Sequence, residues 1–417
     1  MSAAYHLNDE YLILEKEGKV GGLCRSLKVD GYVFDYAPHI LYTKNDYVKN
    51  LYRDILKDNL IKKIRRAYIY INNTFVEYPF EVNLNTLPPE VIEECINGIL
   101  KKNNNEPHNF KEWIYATFGE GIAKHYMIPY NEKVWKYDLS KINIDWISGR
   151  IISPSVQEIK QGATQKIQKH YGQNAEFYYP KYDGIGAFAN QLASNVGSIS
   201  LNSEVVEIKF LKNQLKIKYI KDDEIKEVST DYIISSIPLP DLVKMLCDVP
   251  EDVRRATESL LHNSLVCVNI GIKRPKIIDK HWLYFPEKEF IFNRVSFPMN
   301  FSKLTTPKGR SSILVEVTYR ENNVDINDIK EKTVNGLMDA NIIKKDDIIE
   351  VYDISNFKYA YIIYDLEHER NVNVIHKYLK SKNIIPVGRF GEWEYLNMDK
   401  SILSGKRAAI ELNGGRI

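Results

Sequence analysis

The chain has 417 residues, 44% of them hydrophobic and 27% charged, the proportions of a soluble, well-cored protein rather than a disordered or membrane-embedded one. At about 150 residues per domain, this length predicts roughly three domains or subdomains. The 57 lysines and arginines nearly cancel 55 aspartates and glutamates, leaving a net charge of +2 and no general attraction for a nucleic-acid backbone. Cys24, Cys95, Cys247 and Cys267 are scattered without a C-x-x-C pair, which points away from zinc and disulfide frameworks and toward a reducing compartment. No basic stretch leads into an apolar one at the amino terminus, and no run reaches about 18 apolar residues, so a cytoplasmic location with no membrane partner is expected.

Residues 2–7 read as the last turns of a helix, and Tyr11 to Glu15 as a short apolar strand ending in a carboxylate before the turn Gly21-Gly22. Apolar positions at Val48, Leu51, Ile55, Leu56 and Leu60 predict a helix over Asp46 to Lys63 with Asp46 as its N-cap. Tyr68 to Val76 alternate like a strand pair around Asn72-Asn73, and Pro79, lacking a ladder donor, ends it. From Pro88 to His170 the pattern is helical, with starts at Pro88-Pro89, Asn109 and Pro154, the last predicting a helix over Ser155 to His170. Gly184 to Ser194 is helical again. Strands are then expected at Glu204 to Phe210, Leu215 to Tyr219, Tyr232 to Ser235, Leu265 to Ile272, Ser311 to Val317, Ile348 to Ile354 and Ile384 to Val387. Helices are expected near Ile329 to Met338 and over Ser401 to Leu412. With no repeat or low-complexity linker, the domains are interleaved rather than strung in series.

A strand ending in an acid about twenty residues after a G-x-G-x-x-G turn is a dinucleotide signature, the acid accepting hydrogen bonds from ribose. Glu15 and the following Gly21-Gly22 turn are present, but the glycine-rich turn and the strand before it are not. Taken alone, Glu15 suits an ordinary βαβ unit equally well. We expect in-frame codons upstream of Met1 to encode that strand and turn. The 28 tyrosines combine flat apolar faces with hydroxyls suited to nucleotide and sugar sites, although most must be ordinary core and strand residues.

The blocks GYVFDYAPHILYTKND, GGLCRS and GRFGEWEYLNMDKSILSG, together with Glu15, resemble the FAD-dependent UDP-galactopyranose mutases. The resemblance continues through VEYPFEVNLNTLP, NFKEWIYATFGEGIAKHYMIPYNEKVW, WISGR, WLYFPE and FNRVSF, almost the whole chain. Amine and protoporphyrinogen oxidases share the flavin blocks only. The resemblance implies isomerisation between UDP-galactopyranose and UDP-galactofuranose, as in cell-surface polysaccharide synthesis, with N5 of reduced FAD as nucleophile on the anomeric carbon and no net redox change. NAD(P)H is a candidate electron donor, the partner is a nucleotide-sugar, and a homo-oligomer stays open.

On this resemblance Arg150 and Arg294 are the diphosphate arginines, a role suited to the fixed guanidinium fork, and His39 follows Pro38 over the flavin. Tyr284, Tyr361 and Tyr395 would line the phosphate and sugar pocket with Trp282. Tyr78, Phe80, Tyr126 and Asn131 would hold the uracil, while Trp135 and the flap residue Asn174 would lie near the sugar. Two positions depart from the pattern: Glu81 replaces a glutamine near the base, and Phe301 replaces a phosphate-pocket tyrosine. Cofactor contacts are expected from Glu15, Gly21, Gly22, Leu23, Pro38, His39, Val205 and Arg389. Asn397, Met398 and Asp399 would place the amino terminus of the last helix at the flavin edge.

The expected fold is α/β: a discontinuous Rossmann-like FAD domain (1–62, 176–260, 383–417), an inserted helical domain (87–175) and a mixed-sheet substrate domain (63–86, 261–382). Two other readings stand beside the mutase. An oxidoreductase of the amine oxidase and protoporphyrinogen oxidase class would share every flavin block, and a non-catalytic relative would keep the fold without retaining FAD.

Overall fold

The computed structural model describes residues 1–102, 105–147, 150–167, 171–172, 174–212, 214–320 and 325–414. The chain opens with α1 (Ser2–His6), β1 (Ile13–Leu14), the hairpin β2 (Ser26–Val29) and β3 (Tyr32–Asp35), α2 (Asp46–Leu56), β4 (Ile61–Ile64), and the hairpin β5 (Ala67–Ile71) and β6 (Thr74–Glu77). Four helices follow, α3 (Pro89–Leu100), α4 (Phe110–Ile122), α5 (Ile128–Trp135) and α6 (Val156–Thr164). Next come β7 (Glu176–Tyr179), α7 (Gly186–Ala193), β8 (Ile199–Ser200), β9 (Ser203–Phe210), β10 (Leu215–Lys221), β11 (Glu224–Thr230), β12 (Ile233–Ser235), α8 (Leu239–Met245) and α9 (Glu251–Glu258). The remainder is β13 (Leu261–Ile272), β14 (Trp282–Tyr284), β15 (Arg294–Ser296), α10 (Pro298–Phe301), β16 (Ser311–Tyr319), α11 (Ile326–Asp339), β17 (Ile349–Ile363), α12 (His368–Ser381), β18 (Ile384–Pro386), α13 (Gly388–Gly391) and α14 (Met398–Leu412).

The architecture is mixed α/β, as expected. A seven-stranded sheet runs β17-β13-β16-β15-β14-β5-β6, antiparallel except where β14 meets β5 in parallel. Two parallel pairs, β1 with β8 and β12 with β18, lie apart from the antiparallel β11-β10-β9 sheet. One apolar core joins the helical segment to the far end of the chain, with Phe110, Phe118, Trp135, Trp146, Ile362 and Trp393 in a single cluster. A second fills one side of the large sheet, with Val266, Phe285, Val315 and Leu337.

Several expected boundaries move. The helix predicted over Asp46 to Lys63 ends at Leu56, its N-cap is Asn45 rather than Asp46, and Lys57 turns the chain at φ 48°. Residues 61–64 alternate between half-buried and exposed and pair instead with β7, so the period changes from helical to strand across the Asp58-Asn59 turn. The helix predicted to run from Ser155 stops at Thr164, where Gln165 is extended; residues 168–170 of that prediction lie outside the described residues. The Tyr11 to Glu15 strand shortens to two paired residues, and β17 extends far beyond the predicted Ile354. Helices α3 and α4 approach closely because glycine faces backbone: a Cβ on Gly121 would come within 2.3 Å of the Glu94 carbonyl oxygen.

Candidate active site

The register of the large sheet assembles the centre of the site. Tyr284 on β14 sits opposite Arg294 on β15, and Arg294 sits opposite Glu316 on β16. Glu316 is fully buried between Val315 and Val317 in β16, and both of its oxygens accept from Arg294, Oε1 from Nη2 at 2.7 Å and Oε2 from Nε. Burial alone would lower the Arg294 guanidinium, and the Glu316 carboxylate more than reverses that, so the arginine stays charged. Sequence reasoning missed Glu316; the lone acid inside SSILVEVTY was its only signal.

Arg150 and Arg389 reach the same neighbourhood from other elements. Arg150 donates to the Trp146 carbonyl and to the Tyr395 carbonyl at 2.7 Å, which sets its guanidinium 5.3 Å from the Tyr395 ring centroid. The Arg389 guanidinium lies 4.3 Å from the same centroid and 5.6 Å from that of Tyr361. Tyr361 and Tyr395 stack at 6.1 Å, and the charge of Arg294 acts on the Tyr361 hydroxyl. Three arginines therefore surround one tyrosine pair. Within WISGR, Ser148 and Gly149 lie outside the described residues.

An aromatic run leads away from this cluster. Tyr284 meets Tyr130 at 5.3 Å and Tyr78 at 5.6 Å, Tyr130 stacks on Tyr126 at 5.6 Å, and Tyr126 on Phe80 at 5.0 Å. Glu81 follows Phe80 and is 3% exposed, with Oε2 lacking a partner. Arg65, also missed in the sequence, lies 4.6 Å over the Tyr78 ring and donates to the Asn174 side chain.

Other predicted residues sit one layer back. Asn131 uses its amide internally, donating to the Met127 carbonyl at 2.7 Å and accepting from Trp135 Nε1 at 3.2 Å. Trp135 is buried edge-on against Trp146 at 4.8 Å. Trp282 and Phe301 are buried with Phe177 and Tyr179 in a small core on which Tyr78 and Tyr284 rest. Val205 stands in β9 opposite Tyr219, beside β1 through the Ser203 N–H donated to the Glu15 carbonyl at 2.8 Å.

The residues expected at a flavin fit such a group. Gly21 and Gly22 take φ +108° and +54°, and a Cβ on Gly22 would meet open space. The Cys24 N–H closes the turn on the Gly21 carbonyl at 2.8 Å, with Leu23 between them. Arg389 holds a buried Nε without a partner, a donor suited to an anionic diphosphate. Pro38 precedes His39, whose Nδ1 lies 2.7 Å from the Ala37 carbonyl; donation there leaves Nε2 with its lone pair. Burial pushes His39 down to about 4, the Ala37 bond opposes this, and Arg389 and Arg294 lower it further, so the ring is neutral at pH 7. Rather than preceding the last helix, Met398 and Asp399 open it, and the Asn397 N-cap makes no side-chain bond to the first turn, leaving amide donors for an anionic edge. A cavity of about 550 Å³ between α5, residues 288–291 and α11 contains none of these residues.

Residues 1–413 match the family described as flavin containing amine oxidoreductase. Among solved structures, the chain is similar to a reduced UDP-galactopyranose mutase at 24% identity, with 99% of this chain and 93% of that chain covered and a TM-score of 0.92. A protein from Exiguobacterium sp. 255-15, provisionally called a protoporphyrinogen oxidase, shares 14% identity over 99% and 95% of the two chains, TM-score 0.76. Putrescine oxidase bound to putrescine shares 13% identity over 99% and 96%, TM-score 0.64. No helix among the described residues is long and apolar enough to cross a membrane.

Proposed function

The chain belongs to the flavin containing amine oxidoreductase family, and within it we propose a flavin-dependent nucleotide-sugar mutase that interconverts UDP-galactopyranose and UDP-galactofuranose. The observation that carries this reading is the gathering of Arg150, Arg294 and Arg389 around the Tyr361 and Tyr395 pair. Reduced FAD, when bound, supplies a nucleophilic ring nitrogen to the anomeric carbon, with NAD(P)H as the proposed reductant. Arg389, Glu15, the Gly21 to Leu23 turn, Pro38, His39, Val205 and residues 397–399 would hold it.

The remaining chemistry belongs to the chain's own side chains. Arg150 and Arg294 neutralise the departing diphosphate, and their planar forks hold it for return. The Tyr361 hydroxyl, which burial keeps protonated, donates to sugar or phosphate oxygen, as do Tyr284 and Tyr395. The aromatic run from Tyr284 to Phe80 offers flat faces to the base. Neutral His39 adds no charge beside the cofactor, while the α14 dipole favours an anionic edge.

The amine oxidase reading conflicts with the same geometry. A cationic amine would meet the Arg150 guanidinium beside Tyr395, and the buried Glu316 carboxylate that could attract it is already bound by Arg294. The test is turnover of UDP-galactofuranose by chemically reduced, FAD-loaded protein. R150A and R294A should each lose about 10² to 10³ in kcat, the scale of removing one preorganised donor to developing charge. Wild-type turnover in both variants would sink the shared diphosphate clamp, whereas no turnover by the wild type, or oxygen consumption driven by an amine, would sink the mutase reading.

A further inference from the structure

Lys133 is a buried cation that the proposed chemistry leaves unused. It lies on α5, is 8% exposed, and its ammonium donates to three main-chain carbonyls: Phe285 at 2.9 Å, Phe292 at 3.3 Å, and Glu287. All three belong to the connection between β14 and β15, which carries Tyr284 at one end and Arg294 at the other. An ammonium has three N–H donors and a neutral amine only two, so the arrangement is complete only with the proton on. Burial and Lys136 pull the group down to about 7 against Glu289 and Glu287, while bonds to three carbonyl acceptors favour the charged form. Lysine is almost never fully buried unless paired, and here the pairing ties one helix to one connection.

The main chain of the same helical turn is tied to the sheet as well. The Lys133 carbonyl accepts from Thr318 Oγ1 on β16 at 2.6 Å, and the Val134 carbonyl from Asn263 Nδ2 on β13 at 2.5 Å. Asn263 Oδ1 in turn accepts from the Tyr361 N–H at 3.0 Å. The two halves of the site stand on opposite sides of this seam. Tyr130 is on α5 and Tyr126 just before it, whereas Tyr284 and Arg294 are on the sheet, and Tyr130 meets Tyr284 across the seam at 5.3 Å. Arg150 and Arg294 are anchored elsewhere, to the Tyr395 carbonyl and the Glu316 carboxylate. We infer that Lys133 is a positioning residue: by clamping α5 to the β14–β15 connection, it sets the spacing between the aromatic faces that take the base and the arginines that take the diphosphate. This rests on the nucleotide-sugar reading of the site.

The test titrates FAD-loaded wild type and K133M with UDP and with inorganic pyrophosphate by calorimetry, at about pH 6, where the ammonium is charged. Methionine keeps an unbranched stem and removes the donors, and the cavity that Lys133 borders gives water a route to the freed carbonyls. UDP spans both halves of the site and should bind K133M about tenfold more weakly. Pyrophosphate meets the arginines alone and should bind both proteins equally, and flavin per chain should not change, because the flavin contacts lie on other elements. A general loosening of the fold would instead weaken both ligands together. T318V removes only the hydroxyl bond to the Lys133 carbonyl; it should weaken UDP about threefold, the scale of one hydrogen bond, and it carries the test alone if K133M does not fold. Equal losses for the two ligands, or unchanged UDP affinity in the folded variants, would overturn the role of Lys133 and leave the nucleotide reading standing. UDP binding to the wild type no tighter than pyrophosphate would overturn the nucleotide reading itself.

Discussion

The pairing of Arg294 with Glu316 sets two demands against each other. A buried guanidinium needs a counter-charge, and a guanidinium meant for a diphosphate must keep some of its field free. Glu316, fully buried on the neighbouring strand, meets the first demand and dilutes the second. In E316Q the side-chain carbonyl still accepts one hydrogen bond while the charge is lost, so the two effects separate. Stability should fall by about 3 kcal/mol, the cost of leaving one member of a buried pair uncompensated, and UDP should bind several-fold more tightly because Arg294 no longer shares its field. Chemical denaturation and calorimetry on the same preparation check both signs; weaker UDP binding would mean that Glu316 chiefly positions Arg294. The acid was not legible beforehand because only strand register joins residues 294 and 316. Arg294 itself was legible, since the motif around it is local. Arg65 escaped for the reason Glu316 did: its partners, Tyr78 and Asn174, are brought to it by the hairpin and by the pairing of β4 with β7.

At the scale of elements, Asp35 ties the end of β3 to the start of α7. Its carboxyl accepts from Ser26 Oγ at 2.7 Å, Tyr179 OH at 2.8 Å and the Ile185 N–H at 2.9 Å. Gly184 passes so close, at φ +63°, that a Cβ would stand 2.5 Å from Asp35 Oδ1. D35A orphans three donors in a buried junction and should cost about 3 kcal/mol or more, read as a lower urea midpoint with the slope unchanged. Burial still raises the Asp35 carboxyl to about 6, with the three donors pulling it down. A raised acid binds its proton more readily folded than unfolded, so this residue's contribution to stability falls as pH rises from about 4 to about 6. An unchanged midpoint in D35A would mean that the junction is held by apolar packing alone. Elements with one clear period were legible, such as α2 and α11. The second half of β17 was not, because Asn356 and Lys358 interrupt its apolar alternation while its pairing with β13 continues. Helix α12 buries Val372, Ile375 and Leu379, a helical spacing hidden among charged and polar neighbours.

Across the whole molecule, the expected cofactor contacts come from distant parts of the chain: Glu15 to Leu23 beside β1, Pro38 and His39 after β3, Arg389 on α13 and the first turn of α14. No single segment carries the site, so binding should act on global rather than local stability. A ligand that binds the folded state at about one hundred times its Kd adds about 2.7 kcal/mol, and here the whole of that increment requires the two ends of the chain to be docked together. Helices α1 and α14 provide that docking: the Ser2 hydroxyl donates to the Ile402 carbonyl at 2.7 Å, and a Cβ on Gly405 would come within 2.9 Å of the Ala3 nitrogen. The 417-residue chain supplied with FAD should therefore hold about one flavin per chain, with a visible absorbance band that survives gel filtration, and melt at a higher temperature than the flavin-free protein. R389A removes a donor whose Nε is buried without a partner; it should retain the fold, lose flavin at least tenfold more readily, and shrink the rise in Tm accordingly. If the folded wild-type chain binds no flavin, the remaining contacts are too few, and the chain keeps the family's fold without its cofactor.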